Sequence, residues 1–204
     1  MNRILLTALL LFTTIALRAE NPAAALPAAA LAVGAAAPDV TLRTEKDAPL
    51  ALRKAVAEKP AVLIFYRGGW CPFCTKHLAA LAGIEKDLAA SGFQLLAISP
   101  DAPAKLREKP SHQSLGYTLL SDSTMVAARA FGIAFTVPDE VREQYKGFGI
   151  NLEAESGQAH HQLPHPAVFV VDKAGIIRFA HVNPDYKTRL EPAKILEAVR
   201  AAKP

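Results

Sequence analysis

The sequence predicts an α/β domain, a central mixed β-sheet flanked by helices, and three observations carry that prediction. Two continuous apolar runs, residues 61–66 and 93–99, bracket a segment of helical period. Runs of that length, rich in branched and aromatic side chains, are strands buried on both faces. Residues 167–172 and 176–182 form a second pair of apolar runs around Lys173-Ala174-Gly175, the pattern of a hairpin with glycine in its turn. A β-α-β unit followed by a hairpin and a closing helix gives parallel pairing in one part of the sheet and antiparallel pairing in another.

At the amino end, residues 1–19 read as an export signal. Asn2 and Arg3 form a short positive start, and residues 4–16 are apolar and uncharged. That run falls short of the ~18 apolar residues that cross a bilayer. Leu17-Arg18-Ala19 offers a peptidase site. The expectation is a cleaved signal and a periplasmic product, with membrane association only if the segment stays uncleaved as an anchor. Residues 20–37 are an Ala/Pro-rich linker and 38–204 the domain, long enough for a core of its own. Removing Arg3 and Arg18 lowers the formal charge from +4 to +2. The remaining basic residues are scattered, so nucleic acid is not an expected partner.

Within the domain, residues 39–42 alternate as a short strand and 50–57 allow one or two helical turns. Residues 61–66 are the first buried strand, and Arg67-Gly68-Gly69-Trp70 turns the chain. Leu78, Leu81, Ile84 and Leu88 then recur at three and four, predicting one amphipathic helix from Pro72 to Ser91-Gly92. Pro72 suits the first helical position, where its missing N–H has no intrahelical partner to lose. A strand at 93–99, a short helix at 102–108 and a strand at 117–120 follow. Ser121-Asp122-Ser123 caps a helix over 124–131, and Gly132 stops it. Residues 133–163 read as a polar insertion with one short helix near 139–145. Residues 192–202 form the closing helix.

Cys71 and Cys74 are the only cysteines of the chain. A bridge between them would close too small a loop to stabilise the fold appreciably, since that gain grows with loop length. A structural zinc site lacks a second pair of ligands at metal spacing. Two thiols on a first helical turn can instead close and reopen a disulfide with little backbone movement, which is redox chemistry. The helix N-terminus favours a thiolate at Cys71, and Arg67 lies close enough in sequence to add to it. Cys74, one turn deeper, is the resolving thiol.

The stretch Phe65-Tyr66-Arg67-Gly68-Gly69-Trp70-Cys71-Pro72-Phe73-Cys74 resembles the peroxiredoxin-like branch of the alkyl hydroperoxide reductase/thiol-specific antioxidant family, within the thioredoxin-like fold. His165-Pro166-Ala167-Val168-Phe169-Val170-Val171-Asp172 is similar to that fold's cis-proline strand, and residues 183–192 to the branch's closing segment. The resemblance implies a thioredoxin-like fold and an antioxidant thiol oxidoreductase without cofactor. Its substrate is a peroxide or a protein disulfide, and a thiol partner supplies electrons. Cys71 and Cys74 are the expected catalytic pair, with Trp70, Arg67 and Pro166 positioning substrate; a cis His165–Pro166 bond would hold an extended chain beside the thiols.

The chain departs from the family pattern in ways that keep both chemistries open. Laid on Tyr66, the family's proline and threonine fall at Arg67 and Cys71, and its peroxidatic cysteine at Cys74. The arginine that polarises peroxide falls at Pro166, and the buried carboxylate of thioredoxins at Phe65. His77 is read as a solvated helix-face residue in preference to a proton acceptor beside Cys74, and Tyr186 and Arg189 as ordering the end of the last strand, with a function near the site as the alternative. An alternative from another class is a copper chaperone using Cys71, Cys74 and one of His160, His161 or His165; the Cys-x-x-Cys spacing argues against it, and exposed loop histidines are the plainer reading. A pure interaction protein on the same scaffold would have dispensable thiols.

Overall fold

All five side chains of the strand Ala61–Phe65 are buried, and they divide between the two faces of the sheet with a period of two. Ala61, Leu63 and Phe65 enter one core layer, while Val62, Ile64 and the following Tyr66 enter the other. The computed structural model describes residues 29–108 and 110–202. The expected signal, 1–19, and residues 20–28 of the linker lie outside the described residues.

In chain order the elements are β1 (Thr41–Thr44), β2 (Pro49–Ala51), α1 (Leu52–Glu58), β3 (Ala61–Phe65), α2 (Pro72–Ala82) and α3 (Glu85–Ala90). Next come β4 (Gln94–Ser99), α4 (Pro110–Gln113), β5 (Thr118–Ser121), α5 (Val126–Ala130), β6 (Ala134–Thr136) and α6 (Asp139–Gly147). The chain closes with α7 (Leu152–Ser156), β7 (Gln162–Pro164), β8 (Ala167–Val171), β9 (Ile177–Val182) and α8 (Pro192–Ala201). Seven strands form one sheet in the order β2-β1-β5-β4-β3-β8-β9. β3, β4 and β5 run parallel; β1 and β8 are antiparallel to their neighbours, so the sheet is mixed as expected. Helices α1 and α5 contribute Leu52, Val56, Ala127 and Ala128 to one face. Helices α2, α3 and α8 cover the other with Leu78, Leu81, Leu88, Ile195 and Val199.

Three expectations change. The single helix after Pro72 is two, because Gly83 interrupts it. Its N–H is shared between the Ala80 and Leu81 carbonyls, a tightened last turn, and Ile84 leaves helical geometry at φ −107°, ψ 2°. The helix over 102–108 reduces to a 3₁₀ turn at Pro103–Lys105, with α4 after it. The polar insertion is ordered by its own small core: β6 and β7 pair antiparallel, α6 and α7 lie between them, and Val137, Leu152 and Leu163 are buried together. Val137, Val141, Tyr145, Phe148 and Leu152 recur there at three and four, a helical spacing diluted by the charged residues between them.

The predicted cap of α5 resides in Asp122, whose carboxylate accepts from the N–H groups of Ala127 (3.0 Å) and Ala128 (2.8 Å). Residues 29–37, within the stretch read as linker, lie against the domain. Leu31 N–H donates to the Phe131 carbonyl, and Gly34 and Ala37 N–H to those of Ile177 and Gly175. Gly132, at φ +70°, permits this approach; a Cβ there would lie 1.8 Å from the Ala29 carbonyl oxygen.

Register places the site. Phe65 pairs with Ile98 on one side and Ala167 on the other. The carboxyl ends of β3 and β4 and the start of β8 therefore meet at one end of the sheet's central strands, where parallel α/β sheets collect functional residues.

Candidate active site

The turn from β3 into α2 is built by close backbone approach. Gly68 sits at φ +144°, and a Cβ there would come within 2.3 Å of Trp70 Nε1 and 2.7 Å of Asp101 Oδ1. Gly69 N–H donates to Asp101 Oδ2 at 2.8 Å, and the same oxygen accepts from Ser99 Oγ at 3.0 Å. A buried carboxylate at the end of β4 thus fixes the loop that carries the thiols. Cys71 follows as the N-cap of α2, at φ −87°, ψ 117°, with Pro72 at the first helical position as expected. Its carbonyl accepts from Cys74 and Thr75 N–H, both at 3.0 Å. From below, Tyr117 Oη donates to the Leu78 carbonyl at 2.7 Å and ties α2 to the sheet.

Both cysteines are free thiols, and both are buried: Cys71 is 1% exposed and Cys74 0%. Their environments pull their ionisation apart. The Cys71 thiol is held down at about 6, first because Cys74 donates its S–H to it, then through the Cys74 backbone N–H and the charges of Arg67 and Arg189; burial opposes this and is outweighed. Cys74 is pushed well above the ordinary range, by burial first and then by the same hydrogen bond and the Cys71 charge. One thiol is ionised near neutrality and the other holds its proton. Alkylation of Cys71 is expected to accelerate with rising pH around a midpoint near 6, and Cys74→Ala to move that midpoint upward. A midpoint near the ~8.5 of a free thiol would refute this electrostatic account.

Two guanidinium groups lie at the thiols. Arg67 is buried, not solvent-directed. Its Cζ lies 4.0 Å from the Tyr186 ring centroid, 5.2 Å from Trp70 and 5.5 Å from Tyr145, and Nη2 donates to Tyr145 Oη. Arg189 reaches in from the segment after β9, with Nη2 at 3.3 Å from Cys74 Sγ. Nε of Arg67 and Nε of Arg189 are buried and have no hydrogen-bond partner among the described residues. Trp70, half-buried, packs on Tyr145 at 5.6 Å between centroids. Pro166 is buried just before β8, and its carbonyl accepts from Asn183 N–H at 3.0 Å.

Two expectations are corrected here. No peptide bond among the described residues is cis, so the His165–Pro166 bond is trans. His77 is buried rather than solvated; its Nε2 meets the Leu190 carbonyl at 3.1 Å, and burial, the leading cause, pulls its pKa down to about 4. The helix period placed His77 on the helix but could not show that the closing segment covers that face. The proposed copper ligands are likewise spread apart. His160 Nε2 bonds the Ser123 carbonyl, His161 lies between Arg142 and Glu153, and His165 stacks on Phe135 at 4.5 Å. Among the described residues no group of three or more metal-ligating side chains comes together.

Sequence reading missed Asp101, Ser99 and Tyr145. Asp101 had one available signal: it follows a predicted strand parallel to and beside the one that carries the cysteines, so their carboxyl ends converge. Tyr145 had none, because it arrives from the insertion.

A seven-stranded mixed sheet with a thiol pair where its first long strand meets a helix defines a thioredoxin-like domain. Residues 33–180 match the model of the AhpC/TSA family, and the chain belongs to that family. A putative peroxiredoxin, bcp, of Haemophilus influenzae is 34% identical over 103 residues, 50% of this chain and 66% of that protein. The chloroplastic peroxiredoxin Q of Arabidopsis thaliana is 29% identical over 150 residues, 74% of this chain and 59% of that one. The matched stretch thus spans less than two thirds of either relative. Among solved structures, peroxidoxin BcpB of Mycobacterium tuberculosis has a TM-score of 0.65 at 21% identity, covering 84% of this chain and 98% of that one. Reduced Prx3 of Vibrio vulnificus, in complex with H₂O₂, has a TM-score of 0.66 at 18% identity, covering 83% and 99%. These structures share the fold.

Proposed function

We propose that this protein is a thiol peroxidase in which Cys71 attacks and Cys74 resolves. The Cys71 thiolate attacks the terminal oxygen of a hydroperoxide, forming an S–O bond as the O–O bond breaks. The alkoxide or hydroxide takes a proton and leaves as alcohol or water, and Cys71 becomes a sulfenic acid. The Cys74 sulfur then attacks that sulfenic sulfur; water leaves with the Cys74 proton, and a Cys71–Cys74 disulfide closes. Two electrons from a thiol reductant reopen it, so the cycle needs no cofactor. The observation that carries this reading is the ionised Cys71 beside two guanidinium groups, the buried one of Arg67 and the half-buried one of Arg189, whose buried Nε–H donors have no partner among the described residues. Such donors can stabilise charge developing on the departing oxygen. Arg189 approaches the thiols from a position unrelated to that of the family's arginine, which here is Pro166. Membership of a family whose relatives are peroxiredoxins supports the same chemistry.

Disulfide exchange remains the second reading, favoured by the Cys-x-x-Cys spacing and by the absence of the family's proline and threonine at residues 67 and 71. The pattern of residues 1–19 supports export, which would place either reaction outside the cytoplasm. The test offers hydrogen peroxide, an alkyl hydroperoxide and a protein disulfide side by side, with dithiothreitol as electron source. Catalytic peroxide consumption with little disulfide reduction is expected. Peroxide loss no faster than with reductant alone would overturn the proposal.

A further inference from the structure

Residues 183–191, between β9 and α8, run along α2 and keep its register. The Tyr186 ring stands edge-on to Phe73 at 5.8 Å between centroids, Arg189 Nη2 meets Cys74 Sγ at 3.3 Å, and the Leu190 carbonyl meets His77 Nε2 at 3.1 Å. Successive strap residues therefore contact successive positions on the face of the helix that carries the thiols. The strap is stiffened internally. Asp185 accepts from Lys187 N–H at 3.0 Å and from Thr188 Oγ1 at 2.8 Å, and Asn183 Oδ1 accepts from Asp185 N–H at 2.9 Å. Beneath it the thiols are buried, and the adjoining cavity, lined by Pro166, His77 and Arg189, is only about 10 Å³. That is near the least volume that holds one water.

We propose that this strap selects the substrate, that Tyr186 is its specificity-determining side chain, and that hydrogen peroxide and similarly small hydroperoxides are the substrate class of Cys71. The inference rests on the peroxidase reading and narrows it. The openings required differ in kind. Tyr186 is 37% exposed and meets Phe73 and Arg67 through its ring, so a rotamer change uncovers a path of atomic width; such flips are fast for exposed side chains. A bulky hydroperoxide or a protein disulfide needs the strap itself to lift, breaking its contacts at Cys74 and His77. The backbone beside the thiols is also already engaged, since the strap's Asn183 N–H occupies the Pro166 carbonyl. An extended substrate chain would have to displace it.

The experiment compares Cys71 in the wild type with Tyr186→Ala, Tyr186→Phe and Phe73→Ala. One arm uses hydrogen peroxide against cumene hydroperoxide. The other uses iodoacetamide against a fluorescein maleimide, each rate divided by that for free cysteine. The wild type is expected to favour the small member of each pair. Tyr186→Ala should accelerate the large members about tenfold and the small ones less than about threefold, the scale of losing one ring contact and one cation–π contact. Phe73→Ala should act in the same direction, and Tyr186→Phe should match the wild type. Equal wild-type rates for large and small reagents, or equal acceleration of both by Tyr186→Ala, would overturn the gate. If size selection appears in alkylation but no peroxide is consumed, the peroxidase reading fails and the gate survives. If peroxides of every size are consumed alike, the reverse holds.

Discussion

Cys71→Ser is expected to abolish peroxide turnover, lowering it by about a thousandfold or more, because a serine hydroxyl is un-ionised near neutrality and a poor nucleophile. Cys74→Ser should behave differently. Its first reaction with peroxide should stay within about tenfold of the wild type, since a serine hydroxyl can still donate to the Cys71 sulfur. With no resolving thiol, Cys71 should then accumulate as sulfenic acid, detectable as one added oxygen by mass spectrometry and trapped by dimedone. Rapid-mixing kinetics under single turnover separate the two steps. The opposite pattern, in which Cys74→Ser loses the first reaction and Cys71→Ser keeps it, would reassign the attacking sulfur to Cys74. The family pattern, aligned on Tyr66, points to Cys74; the electrostatics of the folded site point to Cys71. Two variants decide between them.

Phe169→Ala is expected to cost about 3–5 kcal/mol of stability, the range for removing a fully buried phenylalanine. Phe65, Phe131 and Phe169 form a closed triangle, with centroids 5.0, 4.9 and 6.0 Å apart, and Phe131 and Phe169 are wholly buried. The triangle joins β3, the end of α5 and β8, so neighbouring groups cannot collapse into the space without moving the sheet or the helix. Urea unfolding should show a lower midpoint with an unchanged slope. A loss of that size would unfold a sizeable fraction of molecules if the total stability lies at the low end of the usual range of about 5–15 kcal/mol. A loss below about 1 kcal/mol would mean that the cluster repacks and does not anchor the sheet to α5.

These two results test different levels of legibility. The long apolar runs at 61–66, 93–99 and 167–182 were readable because burial on both sides of a sheet demands unbroken apolar sequence, and that demand is local. The redox pair was readable because thiol chemistry needs two particular side chains at a particular spacing on a helix start. Gly83 shows where local reading stops. The apolar period continues through it, yet the backbone breaks there, because a glycine lets the last turn tighten where packing no longer holds it helical. His77 was placed on the right helix and given the wrong environment, since what covers it arrives 113 residues later.

From the sequence alone came the order of the long strands and main helices, the mixed sheet, the family resemblance and the cysteines at its centre. Each is written in a period, a composition or a short motif within one stretch of chain. The tertiary structure decided which sulfur is ionised, which arginines face it and what lies over it. Those depend on Asp101, Tyr145, Tyr186 and Arg189, brought to Cys71 from three separate segments by strand register and by a strap along α2. Charge and burial act through space, over a few ångströms, and no spacing within the chain records them.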